Sequence, residues 1–249
     1  MKIDAVLPAA DLQRVGEMAR QAEGLGFSGL LVSEARHDPF LALTLAAEHT
    51  RSMELGTRLV VAFPRSPMHL AQVGHDLQTY CRGRLTLGLG GDHRQDVEGR
   101  FGVACSSPAA RMREIVLALR AIWRTWNEGA PLHFEGKFYR HTLMTPAFDA
   151  GPTGWGPPRV VLAAGDAGMA EVAGEVADGL FVTGPADPRQ LAEVVLPALE
   201  RGLRRSGRRR DEVEVSVALS APPASADDLG EEIGGRYTDL ADRIGVPLC

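Results

Sequence analysis

Cysteine and lysine are both scarce in this chain of 249 residues, which has three cysteines and only two lysines, Lys2 and Lys137. The cysteines, Cys81, Cys105 and Cys249, are isolated, and none forms a pair at the spacing of a zinc site or a redox motif. A sparse, odd set of this kind argues against a disulfide framework and favours a reducing compartment. We therefore expect a cytoplasmic protein, and no metal centre.

Long apolar runs and an excess of positive charge are also missing. No run approaches the roughly 18 residues that span a bilayer, and the first residues enter a strand-like segment without the pattern of a signal peptide. The net charge of −5 does not indicate nucleic-acid binding. The one basic cluster, at 204–210, falls at the end of a predicted helix, where it complements the helix dipole.

Two common catalytic motifs are absent as well. The chain has no G-x-S-x-G elbow, which argues against a serine hydrolase of the α/β type. Pro8-Ala9-Ala10 stands after the first predicted strand, where a dinucleotide-binding protein has its glycines. A Rossmann-type dehydrogenase is therefore not expected.

What the chain does contain is a regular alternation of strand-like and amphipathic helical segments. The predicted strands are 3–7, 29–33, 55–63, 85–89, 159–164, 179–183, 213–219 and 243–248, and the predicted helices are 11–25, 38–49, 66–81, 111–127, 168–176, 188–206 and 226–237. Residues 131–158 form a long non-helical connection, a kind of segment that is usually functional. Eight strands with seven helices predict a single (β/α)8 TIM barrel over 1–249 rather than a doubly wound open sheet.

The candidate site residues are those at the carboxyl ends of the predicted strands, which converge on one face of such a barrel. They are Glu34 and His37 after strand two, Ala62, Phe63 and Arg65 at the end of strand three, with Arg58 nearer its beginning, Gly90, Gly91, Asp92 and His93 after strand four, Ala164, Gly165, Asp166, Ala167 and Gly168 after strand five, and Thr183 and Gly184 after strand six. The titratable residues His93, Asp92, His37 and Glu34 are the candidates for proton transfer.

Small residues dominate the ends of strands four and five, and they leave room for a flat ligand against the backbone. The segment 165–168 opens a helix whose first N–H groups favour a phosphate, and Thr183-Gly184 could add a hydroxyl and an amide to the same anion. Each of these segments could equally be an ordinary turn between a strand and a helix. The residues alone leave both interpretations open.

Several segments, in this order, carry a resemblance to a known family. They are G-F-S-G-L-L-V-S-E-A-R-H-D-P-F (26–40), L-G-T-R-L-V-V-A-F-P-R-S-P (55–67), G-R-L-T-L-G-L-G-G-D-H (83–93), H-F-E-G-K-F-Y-R-H-T (133–142), V-V-L-A-A-G-D-A-G-M (160–169) and A-D-G-L-F-V-T-G (177–184). Over most of residues 1–220 the sequence resembles the bacterial luciferase-like monooxygenase superfamily, in particular its deazaflavin-dependent branch.

The resemblance implies an oxidoreductase or monooxygenase that acts on a small organic substrate with reduced FMN or the deazaflavin coenzyme F420. It implies that strand three bulges against the flavin ring at 58–62, that the glycines of strand four lie beside the ring, and that the loop 34–38 faces its reactive edge. The phosphate would lie near 165–168 and 183–184. Asp92 or His93 would donate a proton, and the protein would be a homodimer through helices two and three.

The end of the sequence departs from this resemblance. The relatives carry a long helical segment between strand seven and helix seven and continue past strand eight, whereas here 220–224 leads almost directly to the predicted helix at 226–237. One wall of the pocket would then be missing or supplied from elsewhere. Two alternatives follow: a flavin-binding or other ligand-binding barrel that has lost ordinary turnover, and a phosphate-binding lyase or isomerase barrel.

Overall fold

The computed structural model describes residues 2–7, 12–91, 93–184 and 187–217. The strands are β1 Asp4–Leu7, β2 Gly29–Val32, β3 Glu54–Thr57, β4 Val60–Val61, β5 Leu85–Gly90, β6 Phe134–Glu135, β7 Arg140–His141, β8 Arg159–Ala164, β9 Gly179–Val182 and β10 Glu214–Val217. The helices are α1 Val15–Gly24, α2 Pro39–His49, α3 Pro67–Tyr80, α4 Arg94–Phe101, α5 Pro108–Glu128, α6 Ala167–Val176, α7 Pro188–Gln190 and α8 Leu196–Ser206.

Eight of these strands form one parallel sheet in the order β1-β2-β3-β5-β8-β9-β10, with β4 also paired to β5. Strands that follow one another in the sheet are joined by helical crossovers, as parallel pairing requires. The predicted α/β fold and its first seven strands are thus confirmed. The predicted helix at 226–237, the strand at 243–248 and the shortened region before them lie outside the described residues, so the closure of an eight-stranded barrel stays a prediction.

The sheet buries apolar side chains on both of its faces. The larger core lies between the strands and the helices and includes Leu30, Val160 and Leu162. A smaller cluster faces the concave side of the sheet and consists of Leu31, Val161, Ala163 and Phe181, with Leu59 packed against it. This double burial explains why the strands read as continuous apolar runs.

Several boundaries differ from those expected from the sequence. The predicted strand 55–63 is divided into β3 and β4, α4 was not predicted at all, and α5 begins at Pro108 rather than at 111. The predicted helix 188–206 contains a π-helical stretch, Leu191–Val195. This stretch precedes Pro197, which has no N–H to donate to an i−4 carbonyl.

The described part of the chain includes no helix with both the length and the apolarity that crossing a membrane demands.

Candidate active site

The candidate residues lie along one edge of the sheet, which we call the carboxyl edge: the residues that directly follow β2, β3, β4, β5, β8 and β9. The concave side beneath it is closed, because the apolar cluster around Leu59 and Phe181 fills it. Only about 20 Å³ of empty space remains at its amino end, room for about one water molecule. Because the described residues leave so little room there, the carboxyl edge stays the predicted position of a ligand.

A bulge separates β3 from β4 at this edge. Gly56 pairs with Thr86 and Val60 with Leu89, so three residues, 57–59, face only two on β5. The peptide bond between Arg58 and Leu59 within the bulge is cis. The bulge expected at 58–62 is therefore present.

Hydrogen bonds from both neighbouring strands hold the bulge. The Thr57 hydroxyl donates to the Gly88 carbonyl at 2.7 Å and accepts from the Gly88 amide at 2.8 Å. On the other side, the Arg58 amide donates to the Val32 carbonyl at 2.7 Å, and the Ser33 hydroxyl donates to the Arg58 carbonyl at 2.7 Å. The backbone of the bulge is thus fixed before any ligand arrives.

An arginine and two carboxylates form the next layer of this edge. Arg65 donates to both carboxylate oxygens of Glu34, at 2.8 and 2.9 Å, and to Asp38 at 3.0 Å. Glu34 also accepts the Val61 amide at 2.8 Å, and its side chain is only 11% exposed. Burial lowers the pKa of Arg65, but the two carboxylates outweigh burial and raise it. The geometry gives Glu34 a positioning role and does not favour the proton transfer predicted for it.

The glycines at the end of β5 accommodate neighbouring groups. A Cβ on Gly88 would overlap the Thr57 carbonyl oxygen, and one on Gly90 would lie 2.5 Å from Leu59 Cδ1. A Cβ on Gly91 would lie 2.9 Å from the Phe63 ring. The surface offered to a flat ligand here consists of the glycine backbone and the Leu59 side chain.

Ala62 and Phe63 stand behind this surface. They are 0% and 2% exposed, so their side chains support the edge and do not form its outer surface. The Arg111 guanidinium lies 5.2 Å from the centre of the Phe63 ring and donates to the Phe63 carbonyl at 3.3 Å. It also donates to the Tyr139 hydroxyl at 2.8 Å, so the long connection 131–158 reaches this part of the site.

The predicted proton-transfer histidines lie on exposed segments. His37 is exposed in the loop between β2 and α2, next to Asp38, which caps α2 by accepting the Phe40 amide at 2.9 Å. His93 is exposed at the N-cap position of α4. Asp92 lies outside the described residues. Both histidines are therefore accessible to a ligand at the carboxyl edge.

The predicted phosphate segment follows β8. Asp166 caps α6, and its carboxylate accepts the Met169 amide at 3.0 Å. Thr183 lies beside this segment, because its amide donates to the Ala164 carbonyl at 3.0 Å. Gly184 has a φ of +87°, a conformation that glycine adopts without strain.

The charge of Asp166 bears on the phosphate prediction. A carboxylate already complements the positive end of the α6 dipole and would repel a second anion there. Ala167 and Gly168, the first residues of α6, together with Gly165, Thr183 and Gly184, still offer backbone and hydroxyl groups at this position. The segment fits a neutral hydrogen-bonding group of a ligand better than a phosphate.

Arg58 carries a charge that no described residue neutralises. Its guanidinium is half-buried and makes no hydrogen bond or ion pair in the described structure. Burial lowers the pKa of this side chain. Sequence analysis placed Arg58 in the bulge, but only the structure shows that its charge is unpaired.

The sequence of this chain is similar to those of known proteins. A family model described as luciferase-like monooxygenase matches residues 3–231. The chain belongs to the luciferase-like monooxygenase family.

Two curated relatives and one solved structure are similar to this chain. An uncharacterised protein of Mycobacterium tuberculosis is 50% identical over 92% of this chain and 66% of its own length. The F420-dependent glucose-6-phosphate dehydrogenase of Intrasporangium calvum is 32% identical over 83% of this chain and 65% of its own length. The coenzyme F420-dependent tetrahydromethanopterin reductase of Methanopyrus kandleri superposes with a TM-score of 0.74 over 98% of this chain and 76% of that one, at 21% identity.

The last comparison shows the shared fold. The chain spans about two thirds of the length of the curated relatives it matches.

Some contributors to the site carried no strong sequence signal. Arg65 was placed at the end of strand three without a role, and its partners Glu34 and Asp38 lie about 30 residues away in the sequence. The contacts of Arg111 and Tyr139 depend on how the long connection folds. The order of the strands sets Glu34 and Arg65 at adjacent strand ends. That order is the one sequence signal that could have indicated their pairing.

Proposed function

We propose that this protein is an oxidoreductase that binds a flavin-type cofactor at the carboxyl edge and reduces or oxygenates a small organic substrate. The observation that carries the proposal is the shape of this edge in a member of the luciferase-like monooxygenase family. A rigid bulge, glycine backbone at 90–91 and the Leu59 side chain together form a surface for a flat ring.

Coenzyme F420 is our first choice of cofactor, and FMN is the second. The Intrasporangium relative is F420-dependent by name, and it is more than 30% identical to this chain. When bound, either cofactor supplies the redox chemistry, and the protein supplies orientation and proton transfer.

In this proposal the residues of the edge have distinct tasks. The backbone at 58–62, with Ala62 and Phe63 behind it, lies against the ring. Gly90 and Gly91 lie beside the ring, and the segment 164–168 with Thr183 and Gly184 binds the chain attached to it. The His93 imidazole, with Asp92 next to it in sequence, transfers a proton to the substrate, and His37 orients the substrate. Glu34 and Arg65 keep the bulge in register.

The proposal is tested by titrating the purified protein with F420 and with FMN while cofactor fluorescence is followed. We expect saturable binding of one of them. Turnover of the reduced cofactor with a panel of small carbonyl compounds and activated alkenes should fall about 10²- to 10⁴-fold in H93A, and the control H69A, which alters an exposed histidine of α3, should match the wild type.

Each outcome of this experiment has a distinct meaning. If neither cofactor binds, the proposal fails. Binding without turnover of any substrate in the panel favours the alternative, a barrel that binds the cofactor but has lost catalysis. Sugar-phosphate binding without either cofactor favours a lyase or isomerase.

Asp166 provides a second test, of where a cofactor phosphate binds. Asparagine at this position keeps the helix cap, since it accepts the same amide, but removes the charge. If the phosphate lies at the start of α6, we expect D166N to bind the cofactor several-fold more tightly. An affinity equal to that of the wild type in a fluorescence titration would show that the phosphate binds elsewhere.

A further inference from the structure

Arg58 differs from Arg65, the other partly buried arginine described at the carboxyl edge. The guanidinium of Arg65 is matched by Glu34 and Asp38. That of Arg58 is half-buried and has no polar partner in the described structure. A cation withdrawn from water without a partner is costly to the folded protein, so a feature of this kind calls for an explanation by function.

Glu34 and Asp38, which follow β2, are engaged with other groups. Glu34 uses both of its oxygens for Arg65 and the Val61 amide. Asp38 is shared between Arg65 and the cap of α2. The charge of Arg58 is therefore left for a group that is not part of the described protein.

The position of Arg58 is fixed and lies beside the proposed cofactor surface. Its amide and its carbonyl are both held by the end of β2, and Thr57 and Leu59 on either side are held by β5 and by the concave apolar cluster. A fixed backbone removes the cost of ordering this segment when a ligand binds. Its forked donors match a carboxylate or a phosphate with two parallel hydrogen bonds.

We infer that Arg58 binds an oxyanion group of the substrate, a carboxylate or a phosphate, beside the cofactor. This inference rests on the proposed function, because it takes the backbone of the bulge as the neighbour of the ring. It assigns the side chain of Arg58 to the substrate and makes a small organic anion the expected substrate class.

The test compares wild type, R58M and R58K with R124M, which removes an exposed arginine of α5 that has no partner in the described structure. The probes are inorganic phosphate and acetate, each replacing NaCl at constant ionic strength, and the readout is the midpoint of thermal unfolding. We expect phosphate, acetate or both to raise the wild-type midpoint by about 2–4 °C in a saturable manner.

The variants separate binding from general stabilisation by salt. R58M should lose the saturable rise, R58K should require about tenfold more anion, and R124M should behave as the wild type. In NaCl alone the R58M midpoint should be equal to or above that of the wild type, because an unpaired, half-buried charge has been removed. If Arg58 had only a structural role, the thermal midpoint of R58M in NaCl would be below that of the wild type.

The inference is overturned if phosphate and acetate raise the midpoints of wild type and R58M equally, or raise neither. It is also overturned if R58M loses affinity for F420 or FMN to the extent that it loses affinity for the anion, since the guanidinium would then serve the cofactor. Should the wild type bind no cofactor at all, the proposed function fails, and the anion titration still decides whether Arg58 is an anion site. If R58M does not fold, the R58K titration decides.

Discussion

Glu34 shows how the residues of the carboxyl edge are divided between holding the site and serving a ligand. Its carboxylate joins the loop after β2 to the bulged strand through Arg65 and the Val61 amide. A group that accepts three N–H bonds and is 11% exposed has little freedom to exchange a proton with a substrate.

We therefore expect E34Q to act on stability and cofactor affinity and not on the pH dependence of turnover. Loss of the charge leaves the partly buried Arg65 with Asp38 as its remaining carboxylate partner among the described residues, which should cost about 1–3 kcal/mol of unfolding free energy. Chemical denaturation measures this cost. E193Q, which breaks an exposed pair with Arg189, is the control and should change stability by less than about 0.5 kcal/mol. A shifted pH–rate profile in E34Q with unchanged stability would restore the catalytic role.

Glu23 gives the protein a pH-dependent contribution to stability far from the site. Burial opposes ionisation, but the amides of Ser52, Met53 and Arg51 and the Ser52 hydroxyl lower the pKa of Glu23 to about 2 from an ordinary value of 4.5. Because the folded pKa is the lower one, this stabilisation is fully present above about pH 4.5 and is lost as the pH falls towards 2.

The expected effect of E23Q follows from this difference. At neutral pH the variant should be less stable by about 1–2 kcal/mol, a value reduced for solvent screening at this partly exposed position. The gap between wild type and E23Q should close between pH 4.5 and 2 in denaturation curves. A gap that does not change with pH would show that the carboxylate charge is not its cause.

At the scale of helices, the crossing of α6 and α8 depends on two glycines. A Cβ on Gly174 would overlap the Leu199 carbonyl oxygen, and a Cβ on Gly202 would overlap that of Glu171. The two helices thus approach each other with backbone against backbone, and neither obstacle is a side chain that could rotate away.

Alanine at these glycines should therefore separate the helices. We expect G202A and G174A each to lower the free energy of unfolding by about 2–4 kcal/mol. G99A is the matched control, because no atom lies within 4 Å of its added Cβ in α4, and better helix propensity should make it neutral or up to about 1 kcal/mol more stable. Equal stability of G202A and G99A in urea denaturation would contradict this view of the crossing.

The elements differ in how far the sequence predicted them. Strands β2, β5, β8 and β9 were predicted almost to the residue, because a strand buried on both faces is an apolar run with clear ends. The resemblance implied a bulge at 58–62, but the apolar pattern of 55–63 predicted one unbroken strand. Thr57 replaces missing ladder bonds with its hydroxyl, and one threonine in an apolar strand does not indicate such a break. Helix α4 was missed because only Val97 in it is buried.

The candidate site, too, could be predicted only in part from the sequence. The order of the strands indicated that Glu34 and Thr183 share the carboxyl edge, and the resemblance added Arg58. It could not indicate that Glu34 is engaged with Arg65, that Asp166 caps α6, or that Arg58 is left unpaired. Those facts depend on side-chain contacts between residues far apart in the sequence.

At the scale of the whole molecule, we expect a homodimer formed through α2 and α3. Leu41 on α2 is 58% exposed and Tyr80 on α3 is 48% exposed, and burial of such side chains between two copies is favourable. Light scattering after size exclusion should give twice the 26.7 kDa of one chain. L41R should give monomers, and V194R, at an exposed position on the π-helical stretch, should not. A wild-type monomer would contradict this expectation.

The central proposal is that a flavin-type cofactor binds at the carboxyl edge of this sheet. Native mass spectrometry of the purified protein, incubated with equimolar F420 and FMN, tests this claim most directly because the two cofactors compete for one site. We predict one cofactor molecule per chain, with F420 preferred, and loss of that complex in a G91V variant, because its side chain would meet the Phe63 ring and displace the backbone on which the proposed cofactor ring lies. A spectrum with neither cofactor bound, or the same complex in G91V, would contradict the account.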